Sequence, residues 1–270
     1  MSAYLGFNLL AAFTIIIYAN WVLKREGMRW MPLIVLNITA VMSFFIGSRL
    51  LYGVLYFEKI LQSPQKLVEF RLVNFSLYGG LILSVTFYVW SLHRSKMNLW
   101  QVTDKIVPAV GVAIAISKLG CFFNGCCYGI PTKMPWGMVF ERVDQTPISR
   151  MLGGSTIIKA ISGVTLVPRH PTQLYEVFFA LLASAVAVWL TGKHWHRRGK
   201  KGYHQNGVAS WLFVLIFTSG RLFSFLLRDF PSASAVSNFI RGPVVYGMIY
   251  LVTAFVIYTN AKKNKGDLYV

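Results

Sequence analysis

Acidic side chains are scarce in this chain, nine Asp and Glu in 270 residues against twenty-seven Lys and Arg. Charge of either sign is thin as well. A soluble domain is about a quarter charged, whereas this chain is 13% charged and 55% hydrophobic, with a mean hydropathy of +0.53. That shortage excludes an ordinary water-soluble enzyme, because long uncharged stretches need apolar solvent around them, and the solvent is lipid. The net charge of +18 would suggest nucleic acid in a soluble protein. In a membrane chain it points to loops facing anionic lipid, and no nucleic-acid partner is expected. Cysteine is nearly absent: Cys121, Cys126 and Cys127 are an odd number within seven residues, neither a disulfide framework nor a two-pair zinc spacing. No histidine lies near them in sequence to complete a metal site, so they read as small apolar packing residues, and neither metal nor cofactor is expected. The segment MSAYLGFNLLAAFTIII lacks the basic first region and small-residue cleavage site of a signal peptide, and is expected to be a retained first span.

What is present is a series of apolar runs. A helix of about 20 residues crosses roughly 30 Å of hydrocarbon, and seven runs qualify: 3–22, 31–57, 72–92, 106–126, 173–192, 208–227 and 239–261. The expected fold is all-α: a polytopic membrane protein with seven transmembrane helices in a single domain over residues 1–270. The connection over about 130–172 carries Pro131, Pro135, Pro147, Pro168 and Pro171. It is long for a loop and is expected to form a small extracytoplasmic cap of short helices or strands. Alternate connections place fourteen Lys and Arg on one side and ten on the other. By the positive-inside rule the N-terminus is outside and the C-terminus cytoplasmic. The stretch KHWHRRGKKGYH at 193–204 then reads as a cytoplasmic loop facing lipid.

Three cations fall inside the apolar runs: Arg49, Lys118 and Arg221. Each costs about 2.5–3.5 kcal/mol at membrane depth on insertion scales, so each needs pairing, hydration or a function. One carboxylate, Glu176, lies at comparable depth. The cations left over would suit an anionic ligand such as a phosphate; the alternative for each is snorkelling to the interface. Polar, glycine-bearing stretches surround them: SLYGGL (76–81), SKLGCFFNGCCYGIPT (117–132), RHPTQLYE (169–176) and SGRLFSFLLR (219–228). Gly120, Gly125 and Gly129 let the backbone bend towards a ligand. Pro171 suits a helix start, and Arg221 and Arg228, seven apart, would share one helical face.

With RHPTQLYE and LGCFFNGCCYG, supported by IGSRLLY at 46–52, YGGL at 78–81 and the arginine pair, the chain resembles the bacterial prolipoprotein diacylglyceryl transferases. The resemblance implies a cytoplasmic (inner) membrane enzyme that moves diacylglycerol from phosphatidylglycerol to the lipobox cysteine thiol of a preprolipoprotein. The products are a thioether and glycerol phosphate. It further implies that Arg49, Lys118, Arg221 and Arg228 surround the phosphate, with Tyr52, Gly79, Gly80, Asn124, Gly129, Gln173 and Tyr175 contacting substrate and Glu176 orienting an arginine. Departures are concentrated on the acid/base side. The family's histidine before the paired glycines is Tyr78 here, its arginine in the GNFINGE-like stretch is Lys118, the asparagine and glutamate of that stretch align with Cys121 and Cys126, and a sixth-span glutamate position is Phe225.

Proton handling is therefore assigned to Tyr78 or His170, and a covalent acyl intermediate on Cys126 or Cys127 is the alternative role for those thiols. The expected partners are phosphatidylglycerol, the preprolipoprotein signal peptide and membrane lipid, with the protein a monomer. Two other readings stay open: a paralogue with a different acceptor, and a non-catalytic phospholipid binder or flippase. A retinal protein would need its lysine in the last span, and Lys118 is in the fourth.

Overall fold

A computed structural model describes residues 3–55, 77–143, 146–149, 167–195, 207–228 and 244–266. Among the described residues there are seven helices: α1 (Ala3–Arg25), α2 (Trp30–Leu55), α3 (Leu77–Arg94), α4 (Leu99–Phe123), α5 (Thr172–Trp195), α6 (Val208–Leu226) and α7 (Val245–Gly266). Five of them contain stretches long and apolar enough to cross a membrane: Tyr4–Arg25, Trp30–Val54, Leu99–Phe123, Thr172–Gly192 and Val208–Leu226. The apolar part of α7 is shorter, Tyr246–Val256, and α3 is 18 residues long. Large apolar side chains such as Phe13, Ile38, Val54 and Phe178 stand exposed along these helices, the inverse of a water-soluble surface and the pattern that lipid solvates.

Helix boundaries shift from the apolar runs for physical reasons. The fourth run, read as 106–126, becomes Leu99–Phe123. Its start is set by Asn98, whose Oδ1 accepts from the Gln101 backbone N–H at 3.2 Å in the manner of an N-cap. Asp104 and Lys105, which look like loop residues, thereby enter the helix. Asp104 is buried because it serves another helix: its carboxylate accepts from the backbone N–H groups of Gly207 and Ser210, each at 2.8 Å, and from the Ser210 hydroxyl at 2.6 Å. Those are donors that the first turn of α6 would otherwise leave unsatisfied. The other end of α4 closes with a Schellman turn, Cys126 N–H to Cys121 O at 3.1 Å and Gly125 N–H to Phe122 O at 3.0 Å. Gly125 takes the left-handed position, φ 61°, that this motif requires.

The connection expected to hold short helices or strands contains a hairpin. Strands β1 (Phe140–Val143) and β2 (Thr146–Ser149) pair antiparallel, Phe140 opposite Ser149 and Val143 opposite Thr146. They lie inside the 130–172 connection, of which residues 144–145 and 150–166 fall outside the described residues.

Packing divides the chain into two compact units, Ala19–Val102 and Met1–Tyr18 with Thr103–Val270. In the first, α2 and α3 cross at glycines. A Cβ on Gly79 would run into the Gly47 carbonyl and Leu51 Cβ, and one on Gly47 into the Gly79 carbonyl, so the two backbones touch as small residues allow in membranes. Gly80 faces the Ser48 hydroxyl and the Phe44 ring, and the Ser84 hydroxyl donates to the Ala40 carbonyl at 3.1 Å. In the second unit, α4, α5 and α6 pack through Gly111, Ala180, Ser184 and Phe213, and through Gly220 against the Phe179 ring.

Candidate active site

The second unit carries a polar assembly where α4, α5 and α6 meet a short extended platform. Leaving α4, the chain is sewn to the segment that enters α5: Gly129 N–H donates to His170 O at 2.8 Å, His170 N–H to Ile130 O at 3.1 Å, and Thr132 N–H to Pro168 O at 2.8 Å. Arg169 and Met138 exchange both backbone bonds, and Ile130 N–H reaches Leu227 O at 2.8 Å, drawing in the end of α6. Two side chains at the start of α5 complete the seam. The Thr172 hydroxyl donates to Cys127 O and the Gln173 amide to Cys126 O, each at 2.6 Å. The motif RHPTQLYE thus acts first as a splice, and Gly129 is glycine because a Cβ there would meet Leu227 O and His170 Cβ.

Beneath the platform, Glu176 is buried at 3% exposure between two cations. Lys118 Nζ lies 2.6 Å from its Oε2 and Arg221 Nη1 2.5 Å from its Oε1. Arg221 also donates through Nη2 to the Tyr246 hydroxyl at 2.8 Å, and its guanidinium lies 5.6 Å from the centre of that ring. Lys118, Glu176 and Arg221 together carry one net positive charge. Gln173, 1% exposed, donates with its nitrogen, while its Oε1 is buried and meets no hydrogen-bond donor among the described residues. A buried acceptor of that kind is costly unless a ligand or water satisfies it.

The Tyr175 hydroxyl is a second polar node. It accepts from the Trp136 indole N–H at 2.9 Å and lies 3.0 Å from His170 Nδ1. Its phenol pairs with the His170 and Phe223 rings at centroid distances of 6.1 and 6.0 Å. Arg169 stacks over Tyr128 at 5.0 Å and donates to Gly129 O at 3.3 Å.

Cys121, Cys126 and Cys127 form the third node, their Sγ atoms within 4.8 Å of one another. The Cys127 thiol is held below its ordinary range by hydrogen bonds from Cys121 and Cys126, with help from the Arg228 and Lys118 charges and against the effect of burial. Asn124 stands in the same turn, its backbone N–H on Gly120 O at 3.0 Å.

The fold therefore brings together Lys118, Gly129, His170, Gln173, Tyr175, Glu176 and Arg221. Arg228 joins them by a different route from the one its spacing suggests. Helix α6 ends at Leu226, and Arg228 lies beyond it in an extended bridge with Gly129. It shares no helical face with Arg221, because the α6 terminus is captured by the platform. Arg49, Tyr52, Gly79 and Gly80 belong to the other unit, where the glycines form the α2–α3 crossing. Tyr78 is in the first turn of α3, and its side chain is outside the described residues. Tyr246 and Trp136 are not legible in the sequence as site residues, since an aromatic in an apolar run or a proline-rich loop carries no mark of its hydrogen bond.

A multi-pass helical protein with a buried cation–carboxylate–cation group beneath a short extended platform defines a membrane enzyme or lipid-binding class. The chain belongs to the prolipoprotein diacylglyceryl transferase family, whose model matches residues 2–260, and it is a bacterial multi-pass membrane protein. It is 28% identical over 211 residues to the phosphatidylglycerol–prolipoprotein diacylglyceryl transferase of Clostridium tetani (strain Massachusetts / E88), covering 77% of this chain and 73% of that one. To the protein of the same name from Pectobacterium carotovorum subsp. carotovorum (strain PC1) it is 25% identical over 255 residues, 88% and 86% of the two chains.

Proposed function

We propose that this protein transfers a diacylglyceryl group from phosphatidylglycerol to the lipobox cysteine thiol of a preprolipoprotein, in the bacterial inner membrane. The observation that carries the reading is the family match over residues 2–260. The buried group around Glu176 supports it chemically. One net positive charge suits a phosphodiester that gains charge as it leaves, and Arg228, bridged to Gly129 in the platform, adds a further cation on that side. The acceptor thiolate attacks the glyceryl carbon bearing the phosphate ester oxygen. A C–S bond forms, the C–O bond breaks with its electron pair passing to the phosphate, and glycerol phosphate departs. Lys118 and Arg221 stabilise that phosphate, with Glu176 fixing their positions.

His170 takes the thiol proton. The tautomer this needs has Nδ1–H donating to the Tyr175 hydroxyl, which has a second lone pair besides the one taken by Trp136, leaving Nε2 as the acceptor. Tyr78 is the alternative base, and a phenol oxygen is a weaker proton acceptor than an imidazole nitrogen. Gln173 Oε1 would accept from a head-group hydroxyl. A seven-span topology, N-terminus outside and C-terminus cytoplasmic, puts the platform and its hairpin on the extracytoplasmic side where a translocated signal peptide arrives.

The reading is tested with purified protein, phosphatidylglycerol vesicles and a lipobox peptide. The peptide should gain a diacylglyceryl mass, and a peptide with serine in place of the cysteine should not. No mass gain on the cysteine peptide would overturn the assignment.

A further inference from the structure

The three thiols are placed by backbone geometry rather than by their spacing. The Schellman turn at the end of α4 folds Cys126 back over Cys121, with the Cys126 Sγ 3.6 Å from the Cys121 carbonyl. Adjacent residues in an extended chain point to opposite sides, yet Cys127 joins the cluster. It does so at φ 67°, a left-handed conformation rare for a residue with a Cβ. Thr172 and Gln173 fix that turn through the carbonyls of Cys127 and Cys126. The outcome is three Sγ atoms within 4.8 Å, one buried and two partly exposed.

We propose that Cys121, Cys126 and Cys127 form a three-thiolate site for a soft divalent cation of the zinc type, with the fourth coordination position open. Zinc bonds thiolate sulfur at about 2.3 Å, so three sulfurs on a tetrahedral centre sit about 3.8 Å apart. The three sulfurs already lie within 4.8 Å of one another, about 1 Å from that spacing. Thiolates select soft cations over calcium or magnesium. Three thiolates and one divalent cation leave a net charge of −1, and the Lys118 and Arg228 charges that act on Cys127 compensate it. Three protein ligands with one free position is the arrangement of zinc sites that bind a further ligand rather than of closed structural ones.

The test uses the full-length reduced protein in detergent, stripped of metal and titrated with Co²⁺ as the spectroscopic probe. Expected is a thiolate-to-cobalt charge-transfer band saturating at one equivalent per chain. Loss of outer-shell partners alone weakens metal sites about 10–100-fold. Cys126→Ser and Cys127→Ser, which change the partly exposed positions, should each therefore weaken Co²⁺ binding by more than about 100-fold while the protein still elutes as a folded species. Absence of the band in the unaltered protein would overturn the proposal. So would undiminished binding in the Cys126→Ser, Cys127→Ser double variant, which would place the metal elsewhere.

Discussion

Glu176 does more at the scale of single residues than any other side chain in the described chain. Two cations in a membrane helix bundle are tolerable because one buried carboxylate divides itself between them. Removing one member of a buried ion pair costs about 3–5 kcal/mol through the charge left behind. Glu176→Gln leaves Lys118 and Arg221 without compensation, so a stability loss of that order is expected. The check is the unfolding midpoint in detergent; an unchanged midpoint would mean the two cations are already neutralised by something else. Tyr246→Phe deletes the acceptor on Arg221 Nη2. A loss of about 1 kcal/mol in stability should accompany a several-fold fall in turnover, measured as kcat at saturating donor.

Much of this cluster can be read from the residues alone. Lys118, Glu176 and Arg221 stand out because charge inside an apolar run has to be explained, and charge pairs only with its opposite. The cysteine cluster cannot be read that way, since it depends on Gly125 and Cys127 both taking positive φ, and no spacing rule encodes that.

Elements meet where small residues let them. The α2–α3 crossing rests on Gly47 and Gly79, and a methyl group at residue 79 has nowhere to go. Gly79→Ala should therefore cost about 1–3 kcal/mol as an overpacked contact, seen as reduced folded yield. Gly192 is also helical, and a Cβ added there would meet nothing within 4 Å. Gly192→Ala should leave stability unchanged or raise it by up to about 1 kcal/mol through helix propensity. Equal effects at the two glycines would contradict the crossing. The apolar runs mark these helices well because length and hydropathy carry the signal. Their ends are less legible, as the ends are set by partners distant in sequence: Asp104 caps α6 across about a hundred residues, and Ile130 captures Leu227 one residue beyond its end.

For the whole molecule, the governing quantity is the distribution of Lys and Arg. The excess on one set of connections predicts that a fluorescent protein fused after residue 270 will be fluorescent in the cytoplasm. Alkaline phosphatase inserted between β1 and β2 should be active outside it. The reverse pattern would invert the topology and place the platform away from a translocated peptide. The Lys and Arg distribution carries this prediction without any contact, whereas the location of the site needs the fold: the platform joins residues 129–132, 168–173 and 227–228, which the sequence keeps far apart.

The most direct test of the central claim is to follow both products in one reaction of purified protein, phosphatidylglycerol and lipobox peptide. Glycerol phosphate and diacylglyceryl peptide should appear in equal amounts. Glycerol phosphate released without peptide modification, or bound donor with neither product, would contradict it.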